Sequence, residues 1–140
     1  MTMDKNDSFK YSILLVDDHP PVRHAVKKFI EASQEFKVIG ELNDGWALLK
    51  FLEKSPAHLV VLDISMPNMG GLEATWRIKQ AYPEIKVLIL TIHKDREYVE
   101  RAMSVGAEGY LLKEQIGDEL LPAITSLRQG GTYFSSRLPG

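Results

Sequence analysis

Five short apolar runs punctuate the chain: Ser12–Val16, Val38–Leu42, Leu59–Leu62, Val87–Ile92 and Tyr110–Leu112. Runs that are apolar throughout suit strands buried on both faces of a parallel sheet, and these are too short for buried helices. Between them, apolar residues recur with helical spacing. In Val22–Ile30 the residues Val22, Ala25, Val26, Phe29 and Ile30 fall on one stripe. Asp44–Lys54 opens on a capping aspartate, and Gly71–Tyr82 stops before Pro83. Arg96–Val105 stops at Gly106, and Asp118–Gln129 ends at Gly130-Gly131. Pro122 is compatible with that last helix only if it falls in the first turn, which predicts a start near Asp118. A strand followed by a helix, five times over, predicts an open parallel sheet with helices on both faces and right-handed crossovers.

The 140 residues suggest one domain with a core of its own. Hydrophobic residues make up 44% and charged residues 26%, an ordinary globular balance. A net charge of -2 gives no strong pull toward nucleic acid or an anionic membrane, so neither partner is expected. The absence of cysteine removes disulfides, thiolate metal sites and cysteine nucleophiles together. No apolar run approaches the roughly 20 residues that span a bilayer. Residues 1–10 are polar and read as a flexible tail without a signal-peptide core, so the expected location is cytoplasmic.

Chemistry collects at the carboxyl ends of the strands, where a parallel sheet binds its ligands. The first run ends in Asp17-Asp18, the third at Asp63, the fourth near Thr91 and the fifth at Lys113. Three converging carboxylates repel one another unless a cation joins them. An oxygen-only donor set calls for a hard divalent ion, Mg2+ or Mn2+. A lysine and a hydroxyl facing such a site suit phosphoryl oxygens, and a carboxylate beside Mg2+ can itself attack phosphorus. Singly, each residue has a plainer reading. Asp17-Asp18 could cap a helix, Asp63 could be a solvated strand end, and Thr91 a β-branched strand residue. Lys113 could be a surface lysine, and His19 a solvated loop histidine rather than a metal ligand. The joint placement of four such features in order outweighs those readings.

The stretches Ile13–His19 (ILLVDDH), Val60–Pro67 (VVLDISMP) with Gly70-Gly71-Leu72, Leu88–Thr91 (LILT) and Gly106–Lys113 (GAEGYLLK) resemble the receiver domains of two-component response regulators. The likeness runs from Lys10 to Gly131. Asp-Asp-His-Pro-Pro-Val-Arg near the start and Gly-Gly-Thr-Tyr-Phe-Ser after the last helix resemble receivers that precede a LuxR-type helix-turn-helix. The resemblance implies a flavodoxin-like (βα)5 three-layer sandwich around a parallel five-stranded sheet of order 2-1-3-4-5. It divides the chain into a tail at 1–10, a receiver at 11–131, and at 132–140 the start of a linker to an output domain not included here.

It also implies roles. Asp63 would accept a phosphoryl group from a sensor histidine kinase or phosphotransfer protein. Asp18 and Asp63 would bind Mg2+ directly, Asp17 through water, and Ser65 through its backbone carbonyl. Thr91 and Lys113 would hold the phosphoryl oxygens. Tyr110 would be the switch aromatic, and Ser65 and His93 would tune the phosphoryl lifetime. A phosphorylation-dependent homodimer is an expected output, with no enzyme activity beyond autophosphorylation and autodephosphorylation. Many receivers place proline after the active-site lysine through a cis peptide; here Glu114 follows Lys113, which opens the question of that peptide's geometry. Trp46 and Trp76 fall at the margins of their helical stripes, where core-edge packing is favoured over a partner-facing patch.

Other functions fit less well. An aspartyl-phosphate hydrolase would need a second carboxylate near the nucleophile, where Ser65 stands. A phosphorylation-independent interaction module would not need the full Asp17, Asp18, Asp63, Thr91 and Lys113 set. A dinucleotide-binding fold would need a glycine-rich loop after the first strand.

Overall fold

The computed structural model describes residues 10–138; the tail reading for residues 1–9 and the last two residues of the linker reading lie outside them. The elements alternate as expected: β1 Tyr11–Val16, α1 Pro20–Glu31, β2 Phe36–Leu42, α2 Gly45–Lys54, β3 Leu59–Leu62, α3 Gly71–Ala81, β4 Lys86–Thr91, α4 Arg96–Ser104, β5 Gly109–Leu112, α5 Ile116–Arg128 and β6 Tyr133–Phe134. All pairings are parallel, in the order β2-β1-β3-β4-β5-β6. The expected five-stranded sheet is present, extended at its edge by β6.

Alternation along each strand divides the core in two. Leu14, Val16, Val60, Leu62, Val87 and Ile89 face α2, α3 and α4, whereas Ile13, Leu15, Leu59, Val61, Leu88 and Leu90 face α1 and α5. Each central strand is therefore buried on both faces, which is why its sequence shows no polar alternation. The Asp44 carboxylate caps α2, accepting from Ala47 N at 2.9 Å. Gly106 closes α4 at φ 101°, a conformation that favours glycine.

The chain departs from expectation at α5. A turn of 3-10 helix over Lys113–Gln115 leads directly into a helix that begins at Ile116, not near Asp118. Pro122 consequently lies beyond the first turn. Its missing N–H leaves the Asp118 carbonyl without a helical donor, and Asp118 is exposed to water that can serve instead. Among the described residues no helix is long and apolar enough to cross a membrane.

Candidate functional site

The carboxyl ends of β1, β3 and β5 bring their polar neighbours together. Asp17 and Asp63 each follow an apolar run, Ile13–Val16 and Leu59–Leu62, and are almost entirely buried, 5% and 4% exposed. Asp63 is held in place by close packing behind it: a Cβ added at Gly71 would come 2.0 Å from the Asp63 carbonyl oxygen. Only glycine lets α3 start so near the end of β3.

Lys113 Nζ lies 2.9 Å from Asp17 Oδ2 and 2.9 Å from Asp63 Oδ2. Burial alone would lower the lysine's pKa, but its contacts with Asp17 and Asp63 outweigh that and hold it above the ordinary value. Asp63 Oδ1 accepts from Ser65 N at 3.3 Å. Asp17 Oδ1 accepts from His19 N at 2.9 Å, while the buried Oδ2 faces the Lys113 ammonium. His19 Nδ1 stands 3.1 Å from Asp17 Oδ1 and 3.0 Å from Asp18 Oδ1. One ligand atom each from Asp17, Asp18, His19 and Asp63 falls within 4.8 Å of the others. One ammonium thus serves two buried carboxylates. That donor set fits a hard divalent cation. His19, read from sequence as more often solvated, joins the cluster while staying largely exposed.

Around this cluster a groove of about 260 Å³ is lined by His19, Val22, Asp63, Ser65, Ile92, His93 and Lys113. Ile92 is 72% exposed at its rim. Thr91 ends β4, fully buried, and its hydroxyl accepts from His93 N at 3.3 Å. Tyr110 is also fully buried, and its hydroxyl donates to the His93 carbonyl at 2.8 Å. Burial, then the negative charge of Asp95, raises its pKa well above the ordinary tyrosine value. Ser65 Oγ lies 3.1 Å from His93 Nε2, and the His93 ring stacks on Tyr98 at 4.3 Å. The loop after Thr91 is thus pinned from three sides.

A family model described as the response regulator receiver domain matches residues 13–125. The chain is a response-regulator receiver domain. It is 39% identical to the transcriptional regulatory protein DegU of Brevibacillus brevis over 92% of this chain and 55% of that protein, so it spans about half the length of that relative. A two-component response regulator of the LuxR family from Aurantimonas sp. superposes with a TM-score of 0.87, at 32% identity over 91% of each chain. RcsB, solved as two dimers bound to two parallel DNAs, superposes at 0.84 and 27% identity over 91% of this chain and 65% of that one. The receiver fold follows, and the solved structures it resembles include a regulator of the LuxR family.

Peptide bonds among the described residues are all trans, so Lys113–Glu114 needs no proline. Glu114 instead pairs with Lys94 at 2.7 Å and Arg137 at 3.4 Å. Trp46 and Trp76 are 53% and 51% exposed, with the Arg77 guanidinium 5.1 Å above the Trp46 ring. Arg23, which sequence reasoning did not single out, contacts the backbone of Asp17. An arginine on the inner flank of a helix leaves no periodic signal of its own.

Proposed function

We propose that Asp63 is the phosphoacceptor of a Mg2+-dependent switch. The observation that carries the reading is a single ammonium, Lys113 Nζ, bridging two buried carboxylates, Asp17 and Asp63, at 2.9 Å each. Asp17, Asp18 and Asp63 would hold the ion, with the Ser65 carbonyl and water completing its shell. When bound, Mg2+ supplies charge neutralisation for the acids and for the incoming phosphoryl oxygens.

An Asp63 carboxylate oxygen then attacks phosphorus in line, and the bond from phosphorus to the donor breaks. The donor is the phosphohistidine of a sensor kinase or phosphotransfer protein, or a small acyl phosphate. Lys113 moves its hydrogen bond from Asp63 to a phosphoryl oxygen, and the Thr91 hydroxyl gives up its bond from His93 N to donate to another. Because Tyr110 is tied to the same loop through the His93 carbonyl, rearrangement at Thr91 reaches the surface formed by α4, β5 and α5. Dimerisation is the output we favour, and RcsB supports it by assembling as dimers on DNA. Ser65 and His93, joined across the groove, stand where water must approach the phosphoryl group, so His93→Ala alters its lifetime. An unchanged decay rate in that variant would remove the role.

Intact-mass analysis after incubation with acetyl phosphate tests the whole reading. One added phosphoryl group is expected, absent in Asp63→Asn and absent when Mg2+ is chelated first. No added mass, together with no binding of beryllofluoride, would overturn it.

A further inference from the structure

A cation lies behind the acidic pair that the chemistry above leaves unused. Arg23 on α1 is only 14% exposed in its side chain. Its Nη1 donates to the backbone carbonyl of Asp17 and, at 2.8 Å, to Asn43 Oδ1. Its Nε is buried without a hydrogen bond and lies 3.5 Å from Glu41 Oε1. Glu41 belongs to β2 and Asn43 to the turn after it, so one guanidinium joins the β1–α1 loop to the β2–α2 turn. Asp17 N also donates to Leu42 O at 3.0 Å.

We propose that Arg23 is a positioning residue for the divalent-cation site, acting through the peptide that joins Asp17 to Asp18. The inference rests on the Mg2+-dependent reading of Asp63. The Asp17 carbonyl and the Asp18 N–H belong to one rigid plane. Fixing that carbonyl fixes the Asp18 N–Cα axis, leaving only rotation about that one bond to set where the Asp18 side chain leaves the backbone. Without the bond, repulsion between the Asp17, Asp18 and Asp63 carboxylates favours rotation of the plane and splaying of the ligands.

Charge and geometry act in opposite senses. The positive charge of Arg23 by itself disfavours a second cation nearby, so removing charge alone would tighten metal binding. Glu41, 3.5 Å from Nε and shared with the more exposed Lys27 at 3.7 Å, offsets part of that charge, and the geometric effect is expected to win. Groups that orient metal ligands commonly change affinity by about 10–100-fold. Arg23 works one step further back, through the backbone, which puts it at the lower end of that range. Lysine keeps the charge but lacks the planar fork needed to face Asp17, Asn43 and Glu41 together.

The test is Mg2+ binding to the 140-residue chain by titration calorimetry, with the thermal midpoint of each variant recorded in parallel. Arg23→Ala is expected to weaken Mg2+ binding about tenfold, and Arg23→Lys about threefold. A purely structural arginine would lower the thermal midpoint and leave the affinity of the folded protein unchanged. Unchanged or tighter binding in Arg23→Lys overturns the proposal even if Arg23→Ala fails to fold. If the unmutated chain binds no Mg2+, the Asp63 reading fails first and takes this inference with it.

Discussion

Lys79 and Lys113 sit at opposite ends of the same sheet, each 14% exposed in its side chain. At the amino end, Lys79 Nζ donates to the Pro83 carbonyl at 3.0 Å, to the Ile85 carbonyl at 2.9 Å, and to Glu108. The other Glu108 oxygen accepts from Val87 N at 2.9 Å. One cation meets one anion, and three donors meet three acceptors. At the carboxyl end, one cation, Lys113, meets two buried carboxylates, Asp17 and Asp63, so negative charge is in excess. Equal shielding with unequal satisfaction separates architecture from function here. The first cluster is complete as it stands; the second is completed only by a ligand that brings positive charge or displaces the lysine.

Removing each lysine tests that contrast. Lys79→Met leaves the Glu108 carboxylate and two carbonyls without their donor, and is expected to cost about 3 kcal/mol in urea unfolding. Lys113→Met leaves Asp17 and Asp63 facing one another without a cation, at about 1–2 kcal/mol. Saturating Mg2+ should restore the second variant, because a ligand that binds only the folded state stabilises it. Lys79→Met, whose acidic cluster is intact, should gain only what the unmutated chain gains, so its deficit persists. Closing of both deficits relative to the unmutated chain at the same Mg2+ concentration, or of neither, would break the distinction between the two ends.

The parts of this molecule that a reader could find in its sequence are those with a local signature. Leu59–Leu62 and Val87–Leu90 announce buried strands because every residue in them is apolar. Asp17, Asp63 and Lys113 are visible because they break those patterns at the strand ends. What escaped depends on partners distant in the chain. β6 has only two residues, and its place is fixed by Tyr133 and Ser136 reaching Glu119, 14 and 17 positions away. The start of α5 was obscured by Pro122, whose breaking tendency is overruled by the packing of Leu120, Ala123, Ile124 and Leu127 against the sheet. Arg23 was hidden because its bond to the Asp17 carbonyl involves no special residue on the other side. The sheet and the acidic cluster were thus legible, and the supports around them were not.

Glu119 extends the contrast to a third carboxylate, and yields the smallest of these effects. It is as well buried as the site acids, 8% exposed. Yet it accepts from Tyr133 OH at 2.8 Å, Ser136 N at 3.1 Å and Ser136 Oγ at 2.7 Å. Burial raises its pKa, but the bonds from Ser136 and Tyr133 outweigh burial and hold it below the ordinary 4.5. Tyr133 is pushed up to about 12, by burial first and then by Glu119. The signs set a window. A lowered carboxyl stabilises the fold above its ordinary range, and that contribution is lost as pH falls through the lowered value. A raised phenol stabilises below the ordinary 10.0, and its contribution is lost as pH rises through about 12. Tyr133→Phe should therefore cost about 1 kcal/mol across the neutral range, with the deficit shrinking at both extremes. Urea unfolding at several pH values, with hydrogen exchange at the Ser136 amide, measures it. A deficit that stays constant through both pKa values, or no deficit at all, would mean that the carboxylate does not hold the C-terminal segment, and that bond satisfaction at Glu119 has no energetic counterpart.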